Sequence, residues 1–205
     1  MKLYQYLLLL FSFFSFSQGS YNLEVKFKTE ITAFDFNSEL ENQKNRYGDG
    51  LKMNYLGDGN FIRTYLNSGK KGNKTQSYNN LTGQLIISYN DSLAVDTLDV
   101  KQNTIQLIYK KEIEGESILK LKCKCIVYSG IFKQQIPVKI TYCYSEDSPF
   151  LDGNLFSNHN DFFMADFYKS TNRPYLKFLM ETSDFNLTFT AIEIKKIPLQ
   201  KYLKS

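Results

Sequence analysis

A mainly β fold built from antiparallel strands in one domain, with a single clear helix late in the chain, is what this sequence predicts, on three observations. The first is the pattern of residues 119–144. Leu119, Leu121, Cys123, Cys125 and Val127 share one parity and Lys120, Lys122 and Lys124 the other, the period-2 signature of a half-buried strand. Val138, Ile140, Tyr142 and Tyr144 then alternate with Lys139, Thr141, Cys143 and Ser145, and Ser129-Gly130 reads as the turn of an antiparallel hairpin. The second is composition: 15 Tyr and 17 Phe without a Trp suit the faces of sheets better than a helical bundle. The third is that turn residues separate short alternating runs with no strand–helix–strand rhythm, which argues against a parallel sheet.

The 205 residues, 42% hydrophobic, are enough for one core. The net charge of +4 falls to +3 if Lys2 is lost with a leader, leaving 24 of the 25 basic residues against 21 acidic ones. The lysines are spread over strand faces, so no nucleic-acid partner is expected. At the start, Met1-Lys2 is basic, residues 7–16 form an apolar run, and Ser15-Phe16-Ser17 places small residues before a cut. Residues 1–19 are therefore read as a signal peptide and 20–205 as the single mature domain. The run stops short of the roughly 20 apolar residues a membrane-crossing helix needs, so no transmembrane span is expected after cleavage, and no Cys near the cut invites lipid attachment.

In chain order, Leu23, Val25 and Phe27 alternate with Glu24, Lys26 and Lys28 as a first strand ending near Ile31. Residues 38–45 fit equally a short helix with a capping box, Ser38 ahead of Glu41, or a solvated loop. Leu51, Met53 and Tyr55 form a strand, residues 57–60 turn, and 61–66 return. Residues 67–73 are a loop, residues 75–78 and 84–89 flank a turn at 79–83, and 90–92 close that hairpin. The stretch 96–104 has no clear pattern; Ile105, Leu107 and Tyr109 then begin a strand that reaches Ile113, and Glu114-Gly115-Glu116 turns the chain into the 119–144 hairpin. Residues 155–170 are the helix candidate, with Asn160 or Asp161 as cap and Phe163/Phe167 and Met164/Tyr168 each four apart, which makes one face strongly aromatic. After Pro174, residues 175–181 and 185–197 make the closing strands, for eight to ten strands in all.

The leader, rich in Leu, Phe and Ser and ending Ser15-Phe16-Ser17-Gln18, resembles those of exported Bacteroidetes proteins. The hairpin Tyr55-Leu56-Gly57-Asp58-Gly59-Asn60-Phe61-Ile62-Arg63, the Lys122-Cys123-Lys124-Cys125 strand and the closing pair from Arg173-Pro174-Tyr175-Leu176 to Phe189-Thr190-Ala191 resemble exported proteins of uncharacterised and GLPGLI type. At residues 172–177 the chain reads NRPYLK where a GLPGLI protein carries its name motif. The resemblance implies a LolA-like half-barrel: a single antiparallel, strongly curved sheet with one or two short helices covering the concave face, used in that superfamily to carry lipoproteins in the periplasm. An aromatic helix over a concave apolar sheet then suggests a site for a lipid or a lipoprotein acyl chain. The expected apolar cavity is lined by Phe163, Phe167, Tyr168, Leu121, Val127, Ile140, Tyr142 and Phe178, unless those aromatics simply complete a permanent core.

Other chemistry is thinly represented. Cys123 and Cys125 are two apart on one strand, about 6.6 Å between Cα atoms, near the outer limit for a bridge. Alternation puts Cys143 on the opposite sheet face from both, so buried thiols are expected, with a bulge as the route to a Cys143 bridge. His159 is the sole histidine, placed in the polar stretch 157–161 and read as part of a helix-entry loop, so no catalytic residue, metal site or cofactor is assigned. Gly48-Asp49-Gly50 and Gly57-Asp58-Gly59 read as hairpin turns. Asn73-Lys74-Thr75 and three similar triplets match the N-glycosylation pattern, and Asp91-Ser92-Leu93 and Asp96-Thr97-Leu98 resemble an O-glycosylation motif of exported Bacteroidetes proteins. The expected function is a non-catalytic binding protein of the periplasm, or failing that the outer surface or medium. The alternative is a structural protein with a filled core and a cell-envelope protein as partner.

Overall fold

The computed structural model describes residues 21–34, 37–68, 73–90, 92–133 and 135–198, and the expected signal peptide lies outside them. The chain forms one open, curved antiparallel sheet with two short helices. The strands are β1 (Tyr21–Ala33), β2 (Gly50–Tyr55), β3 (Phe61–Leu66), β4 (Lys74–Asn79), β5 (Gln84–Tyr89), β6 (Ser92–Asp99), β7 (Ile105–Glu114), β8 (Lys124–Phe132), β9 (Ile136–Tyr144), β10 (Lys177–Glu181) and β11 (Phe185–Pro198). They run in the order β6-β5-β4-β3-β2-β1-β11-β10-β9-β8-β7. Two meanders are thus clasped by the first and last strands, and β1 pairs with β11 from Tyr21↔Pro198 to Ala33↔Phe185, with a bulge at Lys26/Phe27.

The edge strands, β6 and β7, are consecutive in the chain. A flat sheet of eleven strands would hold its edges about 48 Å apart at about 4.8 Å per gap. Residues 100–104 can span only about 20 Å when fully extended. The sheet therefore rolls until its edges approach at one end, and the rolled interior is the core: Val25, Met53, Tyr55, Phe61, Tyr128, Ile140, Tyr142, Leu187 and Phe189 all project into it and are buried.

Residues 38–45, compatible with helix or loop in the sequence, lie within helix α1 (Asn37–Tyr47), whose Tyr47 ring packs against Tyr65 and Phe189. The single helix expected over 155–170 is broken into a 3-10 turn (Gly153–Phe156), a second 3-10 turn (Asp161–Phe163) and helix α2 (Met164–Thr171). Neither Asn160 nor Asp161 caps α2. The Asn160 side chain donates to Lys101 O (2.6 Å), Asp161 accepts from Thr104 Oγ1 (3.0 Å), and the Asn160 backbone N–H donates to Val100 O (2.8 Å). The covering segment is fastened to the link between the sheet edges, and that attachment overrides the helical period.

The 119–144 hairpin also needs correcting. Leu119 and Lys120 have positive φ (54° and 65°), Ile118 and Leu121 form an isolated bridge, and β8 begins only at Lys124. The break changes the phase, so that Ile126 and Tyr128, opposite Tyr142 and Ile140, take the concave face and Cys125 and Val127 the convex one. Ser129-Gly130 is strand, and the turn lies after Phe132. Gly130 is small because β7 crosses it: a Cβ there would lie 2.5 Å from Gln106 O and 2.6 Å from an Ile105 methyl. The stretch without a clear pattern, 96–104, contributes the second half of β6. Gly57-Asp58-Gly59 does turn the chain, with Gly59 at φ 84° and Asp58 Oδ1 accepting from Asn60 N (2.9 Å).

The phase change also settles the cysteines. Cys125 stands directly opposite Cys143 on the convex face, and the two form a disulfide (Cα–Cα 3.9 Å), while Cys123 stays a buried thiol. The expectation of buried free thiols was wrong for Cys125 and Cys143 because it carried the parity of Leu121 and Cys123 through a break in the strand. A link closing 18 residues is worth about 3 kcal/mol of chain entropy. Unreduced, denatured protein should titrate with one thiol. The Cys125→Ala/Cys143→Ala double variant should unfold in denaturant with about 3 kcal/mol less stability.

Candidate functional site

The concave face is covered in two parts. Over β2, β3 and the β8–β9 end, residues 153–171 fill the interior: Phe156, Phe167 and Tyr168 are at most 1% exposed, and the Tyr168 and Tyr55 hydroxyls meet at 3.0 Å. Tyr142 stacks on Phe167 (centroids 4.7 Å apart) and its O–H donates to Phe162 O (2.9 Å), while Phe163 lies parallel to Tyr128 at 4.8 Å. Burial pushes the phenols of Tyr55, Tyr142 and Tyr168 well above their ordinary range, so they act as neutral donors.

Beyond Phe162 the cover ends and a cavity of ≈ 60 Å³ remains between the sheet and the turn into α2. Its walls are Leu51, Arg63 and Tyr65 from β2 and β3, Tyr142, Phe178 and Met180 from β9 and β10, Leu187 and Phe189 from β11, and Tyr47, Phe162, Met164 and Tyr175 at the rim. At roughly 10–15 Å³ per water on this measure it holds about four to six waters, or a group of a few heavy atoms, and not an acyl chain. The turn above it is strained. Phe162 and Phe163 both adopt the left-handed region (φ 54° and 61°), which costs a bulky residue about 1–2 kcal/mol each.

Of the eight residues expected to line an apolar cavity, Tyr142 and Phe178 do so. Phe163, Phe167, Tyr168 and Ile140 lie on the concave side as filled core. Leu121 only packs at the periphery, because residues 118–123 leave the sheet. Val127 faces away from the cavity altogether. It lies in a trough on the convex face with Thr141, Lys139, Lys177, Leu179 and Glu181. The trough is the larger space (≈ 410 Å³), yet its charges answer one another, Lys139 with Glu181 at 2.6 Å and Lys177 with Glu116.

The concave face also carries two cations that periodicity did not single out. Arg63 shares its parity with Phe61 and Tyr65, and Lys74, opposite Tyr65 on β4, shares its own with Tyr78. An Arg between two aromatics at i±2 was the available signal. Arg63 lies 4.7 Å over the Phe61 ring and donates to Met164 Sδ (2.8 Å), while its enclosed Nε has no partner among the described residues. Lys74, 6% exposed, donates to Arg46 O (2.5 Å) and lies 4.1 Å over the Tyr65 ring; burial, then Arg46 and Arg63, lower its pKa to about 8.

His159 lies in the helix-entry loop, as expected, between the two 3-10 turns, but it is buried there and not solvated. It is 2% exposed, set against Phe61 and Tyr78 (centroids 5.3 and 4.9 Å), and neither ring nitrogen has a hydrogen-bond partner among the described residues. Among the described residues no Ser, Cys or Asp side chain bonds to it. No protein-family model matches the chain, and no curated protein matches it in sequence.

Burial, followed by the charge on Arg63, lowers the His159 pKa to about 3 from an ordinary value near 6.5. A folded-state pKa below the unfolded one means the unfolded chain takes the proton first. The stability from neutral His159 is complete above about pH 6.5 and drains away as pH falls towards 3. Between pH 7.5 and pH 4.5 wild type should lose about 2–3 kcal/mol more unfolding free energy than His159→Phe, measured by denaturant titration at both pH values.

Proposed function

We propose that this chain is an exported, non-catalytic binding protein of the periplasm or cell envelope that holds a lipid or another apolar ligand between the curved sheet and its helical cover. The observation that carries the reading is the unfilled end of the concave face, an apolar cavity under a cover that turns on two strained residues, Phe162 and Phe163. A filled core has no need of two left-handed phenylalanines in a row, whereas a segment that must lift from the sheet has use for a junction whose strain opposes full closure. The cavity as it stands takes a head group; a chain enters when the turn at 161–163 moves off Tyr142 and Tyr128. The Cys125–Cys143 disulfide supports export, since such bonds persist in oxidising compartments. Among the described residues no helix is long and apolar enough to cross a membrane.

The alternative reading, an envelope structural protein that meets a protein partner, is favoured by how completely Phe156, Phe167 and Tyr168 fill the other end. The two readings separate on solvent extraction. Protein exported to a bacterial periplasm and purified without detergent should yield about one apolar molecule per chain by mass spectrometry. Leu187→Trp, which fills the cavity from β11, should remove most of it from a protein that still melts cooperatively. An empty wild-type extract together with no uptake of added lipid would overturn the binding reading in favour of the structural one.

A further inference from the structure

The two cations on the concave face of β3 and β4 lack any carboxylate partner among the described residues, and the cavity opens on one of them. A guanidinium withdrawn from water is costly unless an anion compensates it. Arg63 instead spends one donor on a thioether, a weak acceptor, reaches the neutral Tyr175 hydroxyl, rests on a phenyl ring, and leaves Nε enclosed without a partner among the described residues. Lys74, further along the same face and opposite Tyr65, adds a second positive charge held by the Arg46 carbonyl and the Tyr47 and Tyr65 rings. The acid that feels Arg63, Asp161, is taken up by Thr104. Elsewhere in the fold exposed cations find acids readily, as Lys26 does Glu193 at 2.7 Å and Lys124 Glu146 at 2.7 Å. The interior is therefore electropositive at the place where it is also unfilled.

The cavity's lining is chemically uneven: Arg63 and Tyr65 come from β3, whereas Phe178, Met180 and Leu187 come from β10 and β11, which lie beyond β2 and β1 in the sheet order. Its ≈ 60 Å³ accommodates a planar carboxylate and little more, and is too small for a phosphodiester with its glycerol. The planar fork of an arginine matches a carboxylate with two parallel hydrogen bonds.

We propose that the ligand is an amphiphile with a carboxylate head, of the long-chain fatty-acid class, whose head pairs with Arg63 while its chain runs over Phe178, Met180 and Leu187 beneath the turn at 161–163. This rests on the apolar-ligand reading above and adds the head group to it. Arg63 is then a specificity residue: it selects acids over neutral chains of equal length, and Lys74 strengthens the field it sits in.

The test uses the mature protein and two fluorescent probes, dansylaminoundecanoic acid and its methyl ester. Wild type should bind the acid about tenfold to a hundredfold more tightly than the ester, the range expected when a charged hydrogen-bonded pair is lost. Arg63→Met, close in length and uncharged, should bring the acid down to the ester's affinity and leave the ester unchanged, which also shows that the variant folds. Arg63→Lys should keep part of the preference. Equal binding of acid and ester to wild type, or a preference that survives Arg63→Met, would overturn the head-group assignment while the cleft stands. No binding of either probe to folded wild type would remove the apolar-ligand reading as well. Displacement of the acid probe by dodecyl phosphate in preference to dodecanoate would overturn the carboxylate in favour of a phosphate head.

Discussion

Five residues tie one edge of an eleven-stranded sheet to the other, and that short link sets the shape of everything else. A link of about 20 Å cannot join edges about 48 Å apart, so the sheet rolls and one face becomes an interior. A rolled open sheet buries its concave side chains only if something closes the opening. Residues 153–171 do so, and they are fastened to the link itself through Asn160 on Val100 and Lys101 and Asp161 on Thr104. The cover is thereby fixed at its entry and packed along α2, which leaves the turn at Phe162 and Phe163 to absorb the mismatch as left-handed backbone.

The interior so formed is uneven. At one end stacked and edge-on rings, Tyr142 on Phe167, Phe156 on Tyr168 and Tyr128 on Phe163, fill the space in geometries that aromatic quadrupoles favour. At the other end the sheet supplies Arg63 and Lys74 in place of apolar groups, and a cavity remains. Aromatic faces and carbonyls make the buried Lys74 and the half-buried Arg63 tolerable without neutralising them. A core evolved only for stability would be expected to replace a guanidinium that has no acid partner among the described residues with an apolar side chain of similar volume, so its presence beside an unfilled stretch of apolar wall gives the cavity a chemical direction. His159 lies in the same aromatic layer and is held neutral by it, which adds a dependence on pH on the acid side to that of Lys74, whose pKa is lowered to about 8.

Much of the strand pattern was legible because alternation is a local property. Tyr55, Phe61 and the turn between them, the 138–144 run and the closing pair β10–β11 form where period 2 and the turn residues place them. The reading failed where local order was interrupted by something distant. Residues 118–123 leave the sheet through two left-handed residues, and the resulting slip of one residue moved Cys125 and Val127 to the other face. The 155–170 helix failed for the same kind of reason: its aromatic spacing suited a helix, but fastening Asn160 and Asp161 to the link cost it a turn. Of the cavity, Tyr142 and Phe178 were foreseen because each sits on the apolar parity of its strand, whereas Arg63 was passed over because a charge on that parity breaks the pattern that periodicity looks for.

The sequence by itself determined that the chain folds as antiparallel strands over one aromatic core, since composition, alternation and turn residues act within a few positions of one another. Only the tertiary structure decided which face each side chain of β8 takes, that Cys125 meets Cys143, and that Arg63 ends beside a cavity without an acid to pair with. Those outcomes depend on the register between strands far apart in the chain and on how tightly the link between β6 and β7 rolls the sheet, and neither is written in any local stretch of residues.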